Sequence, residues 1–445
     1  MEMKLEILGR EVIKPASPSP QDFLQLSLAD VSGPAAYVST IFFYKSVSGE
    51  SPEIITGRLK TSLSDTLSRF YPLAGRIEGD KIICNDEGAV FTEARTDLLL
   101  QDFLKNNLHN NTNSIQEFIP TIAPGESPGT WPLLSVKVNF FGSGSGVAVT
   151  VFISHRICDA ASVLTFVSGW AATAKVESND VVLNIPTFAT TTIYPPPPHS
   201  SFQSSSMDGL YAIGSKCVTN RFLFKSSKIA ELKRRAMSET VPVPTRVEAI
   251  MSLMWRCATI SRRSNSVVPK STLMRQPMDL RLRVPSTVLP KDAVGNLQAS
   301  FFLKNGSESK MEIAEIVADF RKAKEGVNEM IKENLATTIT ATTLGLNLLS
   351  GMGKLVSELK PDTDLYPMSS WCRKPFYEVD FGCGSPVWIG FAGHIVSTTV
   401  FVLLIDSKDG EDVEAWICLP EQDMSVFVRD QDVLAYAVIN PPVLI

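Results

Sequence analysis

The stretch VFISHRICDAAS, Val151 to Ser162, ends an apolar run on His155 and sets Asp159 four residues later. A neutral imidazole titrates near physiological pH, so His155 can take a proton from a hydroxyl and pass it to a leaving group. The carboxylate close behind invites a dyad in which Asp159 orients the ring. The same two residues also suit a hydrogen-bonded core histidine at a strand end. One H-x-x-x-D spacing does not choose between these readings, because two residue types at one spacing recur by chance.

Other chemistries find less support. His109, His155, His199 and His394 share no helical spacing and H-E-x-x-H is absent, which argues against a zinc site. GSGSG, Gly142 to Gly146, puts Gly144 where a nucleophile elbow needs serine, and no lysine follows as in a phosphate loop. DFGCG, Asp380 to Gly384, begins like a kinase D-F-G, but the other kinase signatures are missing. The seven cysteines are dispersed, with no C-x-x-C pair, so free buried thiols are expected rather than a disulfide frame. Cys158, three residues from His155, is read as a small apolar filler before a nucleophile.

The elements around His155 follow from periodicity. Val147, Val149, Val151 and Ile153 alternate, which predicts a strand with one apolar face. Val163, Phe166, Val167 and Trp170 recur at helical spacing, with Asp159 or a nearby serine as cap. His155 therefore stands on a turn between strand and helix. Upstream, Leu59, Leu63, Leu67 and Phe70 mark a helix stopped by Pro72 and Gly75, and KIICNDEGAVFTEA reads as a hairpin around Asn85 to Gly88. Downstream, Thr245 and Glu248 form a capping box for a helix carrying Ile250, Met251, Met254 and Trp255. Ile313, Ile316, Val317 and Phe320 mark another helix, and a hairpin is expected to turn at Asp409-Gly410.

A chain of 445 residues is too long for one compact core, so two domains are expected. IYPPPPHSSFQSSSMDG, stiff and then serine-rich, marks the crossover. The expected units are residues 1–192 with H-x-x-x-D, a linker over 193–215, and 216–445 with D-F-G-C-G. A net charge of −5 argues against a nucleic-acid grip, and the scattered Lys and Arg form no polybasic membrane patch. Neither a signal-peptide core nor an apolar run of about 20 residues occurs, so the cytosol is the expected compartment.

Several stretches together carry a family resemblance. SHRICDAAS resembles the H-x-x-x-D segment of the plant BAHD acyltransferases, and VDFGCGSP resembles their D-F-G-W-G segment. The separation from His155 to Asp380, a little over 220 residues, suits that family. FYPLAGRI, NDEGAVF, TRVEAIMSLMWRC, MDLRLRV, VGNLQASFF, MSSWCRKPFYEVDFG and DGEDVEAW match in order, so the resemblance covers essentially the whole chain. These stretches look most like the branch that contains vinorine synthase and salutaridinol acetyltransferase.

The resemblance implies an α/β enzyme of two similar mixed-sheet domains of the chloramphenicol-acetyltransferase-like type, with an active-site channel between them. It implies a soluble monomer without a permanently bound cofactor or metal. Such an enzyme moves an acyl group from a coenzyme A thioester to a small-molecule alcohol or amine. His155 is then the general base of direct transfer. Asp159, the other candidate of the catalytic motif, is implied to point away and pair with Arg281. Asp380, Gly382 and Gly384 are implied to be structural. Thr245 and Arg246 open the helix along the coenzyme A channel, and Ser369 and Ser370 line the reacting centre; capping explains Thr245 nearly as well, and a plain turn explains the serines. Acetyl-CoA is the expected donor and a hydroxylated alkaloid, terpenoid or similar apolar alcohol the expected acceptor. Another aliphatic acyl-CoA, an amine acceptor, or a catalytically silent binding protein on the same scaffold are the alternatives. Two positions depart from the family pattern: Cys383 stands for tryptophan, and Ala160 for a common glycine. A cysteine fills only part of an indole's volume, so either neighbours have grown into the space or a void remains.

Overall fold

The computed structural model describes residues 3–33, 36–45, 50–110, 112–121, 131–175, 185–197, 216–307, 310–336, 340–360, 363–392 and 400–445. Its principal elements in chain order are β1 (Glu6–Ile13), β2 (Tyr37–Lys45), α1 (Pro52–Arg69), β3 (Ala89–Arg95), β4 (Leu134–Phe140), β5 (Gly146–Ser154), α2 (Ala160–Lys175), β6 (Cys217–Phe224), α3 (Arg246–Ser264), β7 (Thr272–Asp279), β8 (Gln298–Asn305), α4 (Ile313–Ala336), α5 (Ala341–Ser357), β9 (Asp364–Ser370), β10 (Trp388–Gly390), β11 (Phe401–Asp406), β12 (Val413–Pro420) and β13 (Val438–Ile439).

Two mixed sheets organise the chain. The first runs β1-β3-β4-β5-β2-β10, parallel only between β3 and β4. The second runs β8-β7-β9-β11-β12-β6-β13, with parallel pairs β7–β9 and β9–β11. β5, flanked by β4 and β2, is buried along its whole length. Its alternation predicts one apolar face; the other face, carrying Ala148, Thr150 and Phe152, is covered as well. Leu59, Leu63 and Leu67 of α1 join Val163, Phe166, Val167 and Trp170 of α2 in one core with this sheet. The second sheet packs with Ile250, Met251 and Met254 of α3 and Ile316, Val317 and Phe320 of α4. A smaller core gathers Ile193, Tyr194, Leu280, Leu289, Leu297 and Leu344.

Three sequence expectations need correction. KIICNDEGAVFTEA is not a hairpin: Lys81–Ile83 pairs with Arg76–Glu78 and Phe23–Gln25 in a separate small sheet, whereas β3 pairs with β1 and β4. The turn is held back against the end of α1's loop, with the Gly88 N–H donating to the Ala74 carbonyl (2.8 Å), so the two strands diverge. The expected linker begins too early, because Ile193 and Tyr194 are buried and the Tyr194 hydroxyl donates to the Gln298 carbonyl (2.7 Å). The rest of it, from 198 to 215, lies outside the described residues.

The third correction concerns D-F-G-C-G, which was expected in the second unit. After Ser370 the chain leaves the second sheet, and Trp371, Phe376, Val379, Phe381 and Cys383 pack in the first core. β10 then pairs with β2. The cause is aromatic burial: Trp371 stacks on Phe376 (5.0 Å between centroids), and Phe381 meets Trp170 of α2 edge-on at 4.5 Å. Asp380 also pairs with Lys175 in the last turn of α2 (2.9 Å) and accepts the Gly382 N–H.

The Arg58 side chain lies beside Cys383. Its Nε donates to the Phe381 carbonyl (3.0 Å), its Nη2 reaches Cys383 Sγ (3.7 Å), and Glu50 holds it through an ion pair (2.6 Å). A Cβ on Gly382 would stand 2.9 Å from the guanidinium carbon. The guanidinium therefore occupies space beside the cysteine. Cys383→Trp should overpack this region and lower the melting temperature, by about 1–3 kcal/mol in stability. A higher melting temperature in thermal denaturation would mean that a void remains instead.

Candidate active site

Strand β5 ends at Ser154, and the turn that follows carries the imidazole. The His155 N–H donates to the Ala36 carbonyl (2.8 Å), and the His155 carbonyl accepts from Asn296 Nδ2 (2.7 Å). The residue keeps part of its surface exposed, yet Nδ1 is buried and makes no conventional hydrogen bond to a described residue. Burial lowers the imidazole pKa below its usual value; its own carbonyl, the Asp159 charge and Asn296 oppose this, while Arg275 of β7 adds to it. A lowered pKa keeps His155 neutral at neutral pH, the form a general base requires.

Asp159 does not form a dyad with that ring. Oδ1 accepts the Ser162 N–H and hydroxyl (both 2.9 Å), which caps α2. Oδ2 accepts from Arg281 Nη1 (2.9 Å) and the Leu297 N–H (3.1 Å). Burial pushes its pKa up, but the charge and hydrogen bond of Arg281, with the bonds from Ser162, outweigh that and hold it below the usual carboxylate value. Arg281 is saturated in turn. Nε donates to the Ala293 carbonyl (2.7 Å), Nη1 also to Asp279 (3.0 Å), and Nη2 to the Ser162 hydroxyl (3.0 Å) and the Gly295 carbonyl (3.1 Å). The carboxylate thus fixes the turn below His155.

The remaining candidates have definite places. Thr245 caps α3: its hydroxyl accepts the Glu248 N–H (3.2 Å) and its N–H donates to the Glu248 carboxylate (2.8 Å). Burial pushes the Glu248 pKa up, but Arg321, the Thr245 N–H and Lys324 hold it at about 2. Arg246 pairs with Asp406 (2.8 Å) and donates to the Gly410 carbonyl (2.8 Å), fastening the β11–β12 hairpin to α3. Ser369 and Ser370 end β9 opposite Leu403 and Leu404, where the chain crosses from the second sheet to the first core. Gly382 and Gly384 both have positive φ, +89° and +79°, in the turn after Phe381. Cys158 is fully buried, which pushes its thiol well above the usual value and leaves it a poor nucleophile. Among the described residues no cluster of His, Cys, Asp or Glu could hold a metal ion. His199 and His394 lie outside the described residues.

Sequence reasoning missed Asn296 and Asp30, and it offered a serine only as a cap, not as the partner of Arg281 that Ser162 is. Ser162, three residues after Asp159, stands at N-cap spacing. Asn296 follows Gly295, whose φ is +137° and whose Cβ would stand 1.8 Å from Thr190 Cγ2, so only glycine fits the sharp turn that delivers the amide.

Comparison with known proteins bears on this arrangement. The profile of the Transferase family matches residues 3–434. The chain is 64% identical over 447 residues to BAHD acyltransferase BIA1 of Arabidopsis thaliana, covering 100% of both. It is 31% identical to minovincinine 19-hydroxy-O-acetyltransferase of Catharanthus roseus, with 98% of each chain covered. The crystal structure of vinorine synthase superposes with a TM-score of 0.78 at 27% identity, covering 95% of this chain and 96% of that one. The chain belongs to the BAHD acyltransferase family. It is an acyltransferase with the chloramphenicol-acetyltransferase-like α/β fold.

The buried pair generates a thermodynamic prediction. Asp159→Ala and Arg281→Ala should each destabilise the protein by about 3–5 kcal/mol, because each leaves its partner buried and uncompensated. The double variant should lose much less than the sum in denaturant titrations. Since the folded pKa of Asp159 is depressed, its stabilisation is full above the unfolded value of about 3.9 and is lost as pH falls below it. Additive losses, or a wild-type pH slope in Asp159→Ala, would remove the coupling.

Proposed function

We propose that this enzyme transfers an acetyl group from acetyl-CoA to a hydroxyl of a plant specialised metabolite, an alkaloid, terpenoid or similar apolar alcohol. The observation that carries this reading is a partly exposed His155 whose imidazole is kept neutral by burial on a turn pinned from both halves of the chain. The acetyl donor and alcohol acceptor are supported by the 31% identical relative, whose name states O-acetyl transfer.

With Nδ1 buried, Nε2 is the nitrogen left to face substrate. It takes the proton of the acceptor hydroxyl, and the oxygen forms a bond to the thioester carbonyl carbon. The carbon–sulfur bond of the tetrahedral intermediate then breaks, and the coenzyme A thiolate leaves with the proton returned from the imidazolium. No acyl-enzyme is involved. In this reading Ser369 and Ser370 supply hydroxyls near the developing oxyanion, and the α3 N-terminus at Thr245 and Arg246 faces the coenzyme A side. The enzyme acts as a monomer in the cytosol, with acyl-CoA as co-substrate and no resident cofactor. Among the described residues no helix is long and apolar enough to cross a membrane.

A mass-spectrometric screen of acetyl-CoA and other acyl-CoA donors against a panel of plant alcohols tests the reaction; acetylated product is expected, and no product with any donor would overturn the reading. His155→Ala should lower turnover by about 10²–10⁴-fold with melting temperature unchanged. Turnover near that of the wild type would remove the general base.

A further inference from the structure

We propose that Asn296 is a positioning residue that fixes the ring and tautomer of His155, with Asp30 setting the orientation of the Asn296 amide. This rests on His155 acting as the base. Asp30, in the helix Leu28–Ser32, is buried and accepts four hydrogen bonds. Oδ2 takes the Ser27 N–H (3.0 Å) and hydroxyl (2.7 Å); Oδ1 takes the Asn296 N–H (3.2 Å) and Nδ2 (3.0 Å). The second hydrogen of Nδ2 goes to the His155 carbonyl (2.7 Å). Both amide hydrogens are thus committed to acceptors. Rotating the amide by half a turn would set Oδ1 against a carboxylate and a carbonyl, so the orientation is determined.

That orientation leaves one atom over. Asn296 Oδ1 is buried without a conventional hydrogen-bond partner, and so is His155 Nδ1. One is an acceptor and the other is a donor when it carries the proton. Asn296 also stabilises the protonated imidazole, as expected of an acceptor beside the ring. Asn296 thus acts on His155 twice, holding the carbonyl of its turn and adding to that carbonyl's own pull in favouring the proton on Nδ1. With the proton there, Nε2 keeps its lone pair for the acceptor hydroxyl. The charged groups whose fields reach the ring are Asp159 from its own turn, bonded to Arg281 and the Leu297 N–H, and Arg275 from β7, whose Nε donates to Ser300; behind Asn296 stands Asp30, whose pKa burial raises.

The tautomer is read directly by ¹⁵N NMR of the histidine-labelled protein. The wild type is expected to show a protonated Nδ1 at His155, assigned by its absence from His155→Ala. Asn296→Ala should shift this signal towards a tautomer mixture and lower kcat about 10–100-fold. KM for both substrates should stay within about two-fold, because Asn296 binds neither. The acid limb of kcat/KM should move to lower pH, since the acceptor that stabilises the imidazolium is gone. A proton on Nε2 in the wild type overturns the proposal even if the variant fails to fold. So does Asn296→Ala with wild-type kcat, or with lost kcat but an unchanged tautomer and pH profile. Turnover surviving in His155→Ala would instead sink the general-base reading, while the NMR result still judges Asn296.

Discussion

A carboxylate taken out of water stays ionised only if charge and hydrogen bonds replace the water it loses. Asp159 meets that requirement with Arg281, Ser162 and the Leu297 N–H. The partners come from two places far apart in sequence: the first turn of α2, and the segment from Asp279 to Leu297. One buried charge therefore joins the two halves at the point where β5 hands over to α2. His155 sits on that handover, so the position of the imidazole depends on the pair although no bond links them.

The other end of α2 is held differently. Lys175 and Asp380 are both partly exposed, and such pairs contribute little. The firmer hold is apolar: Phe381 is fully buried against Trp170, and the aromatic run from Trp371 to Phe391 packs in the first core. A segment encoded after the second sheet thus supplies the first sheet with its edge strand β10 and part of its core. The two units share residues as well as an interface, and a rigid α2 follows from anchoring at both ends.

The strand–turn–helix around His155 was legible because each piece has a local cause: alternation for β5, 3.6-residue spacing for α2, and a capping carboxylate between. The capping box at Thr245 and Glu248 was legible for the same reason. Pairing partners were not. Nothing in KIICNDEGAVFTEA says that its two strands belong to different sheets, since register is a property of neighbours distant in sequence. The return of D-F-G-C-G to the first core was hidden likewise, and so was Arg58, which stands beside Cys383 although 325 positions separate them. Asn296 carried no chemical signal; an amide becomes informative only when both of its hydrogens are seen to be committed.

The allocation of charge around His155 agrees with what the proposed direct transfer requires. The base must be neutral when the acceptor arrives, must hold a proton briefly, and must release it to a thiolate. A carboxylate bonded to Nδ1 would stabilise the imidazolium and raise the pKa, leaving more of the enzyme protonated and slowing that return. Here the nearby carboxylates are spent elsewhere: Asp159 on Arg281 and the α2 cap, Asp30 on Ser27 and Asn296. The ring is offered neutral acceptors, its own carbonyl and the Asn296 amide. Burial then dominates the pKa and lowers it, while on the proposed mechanism these neutral acceptors give the imidazolium partners without a full counter-charge. On the proposed mechanism, a histidine held in this way needs no carboxylate partner to act as base, and the aspartate of the motif serves the fold through Arg281 and the α2 cap.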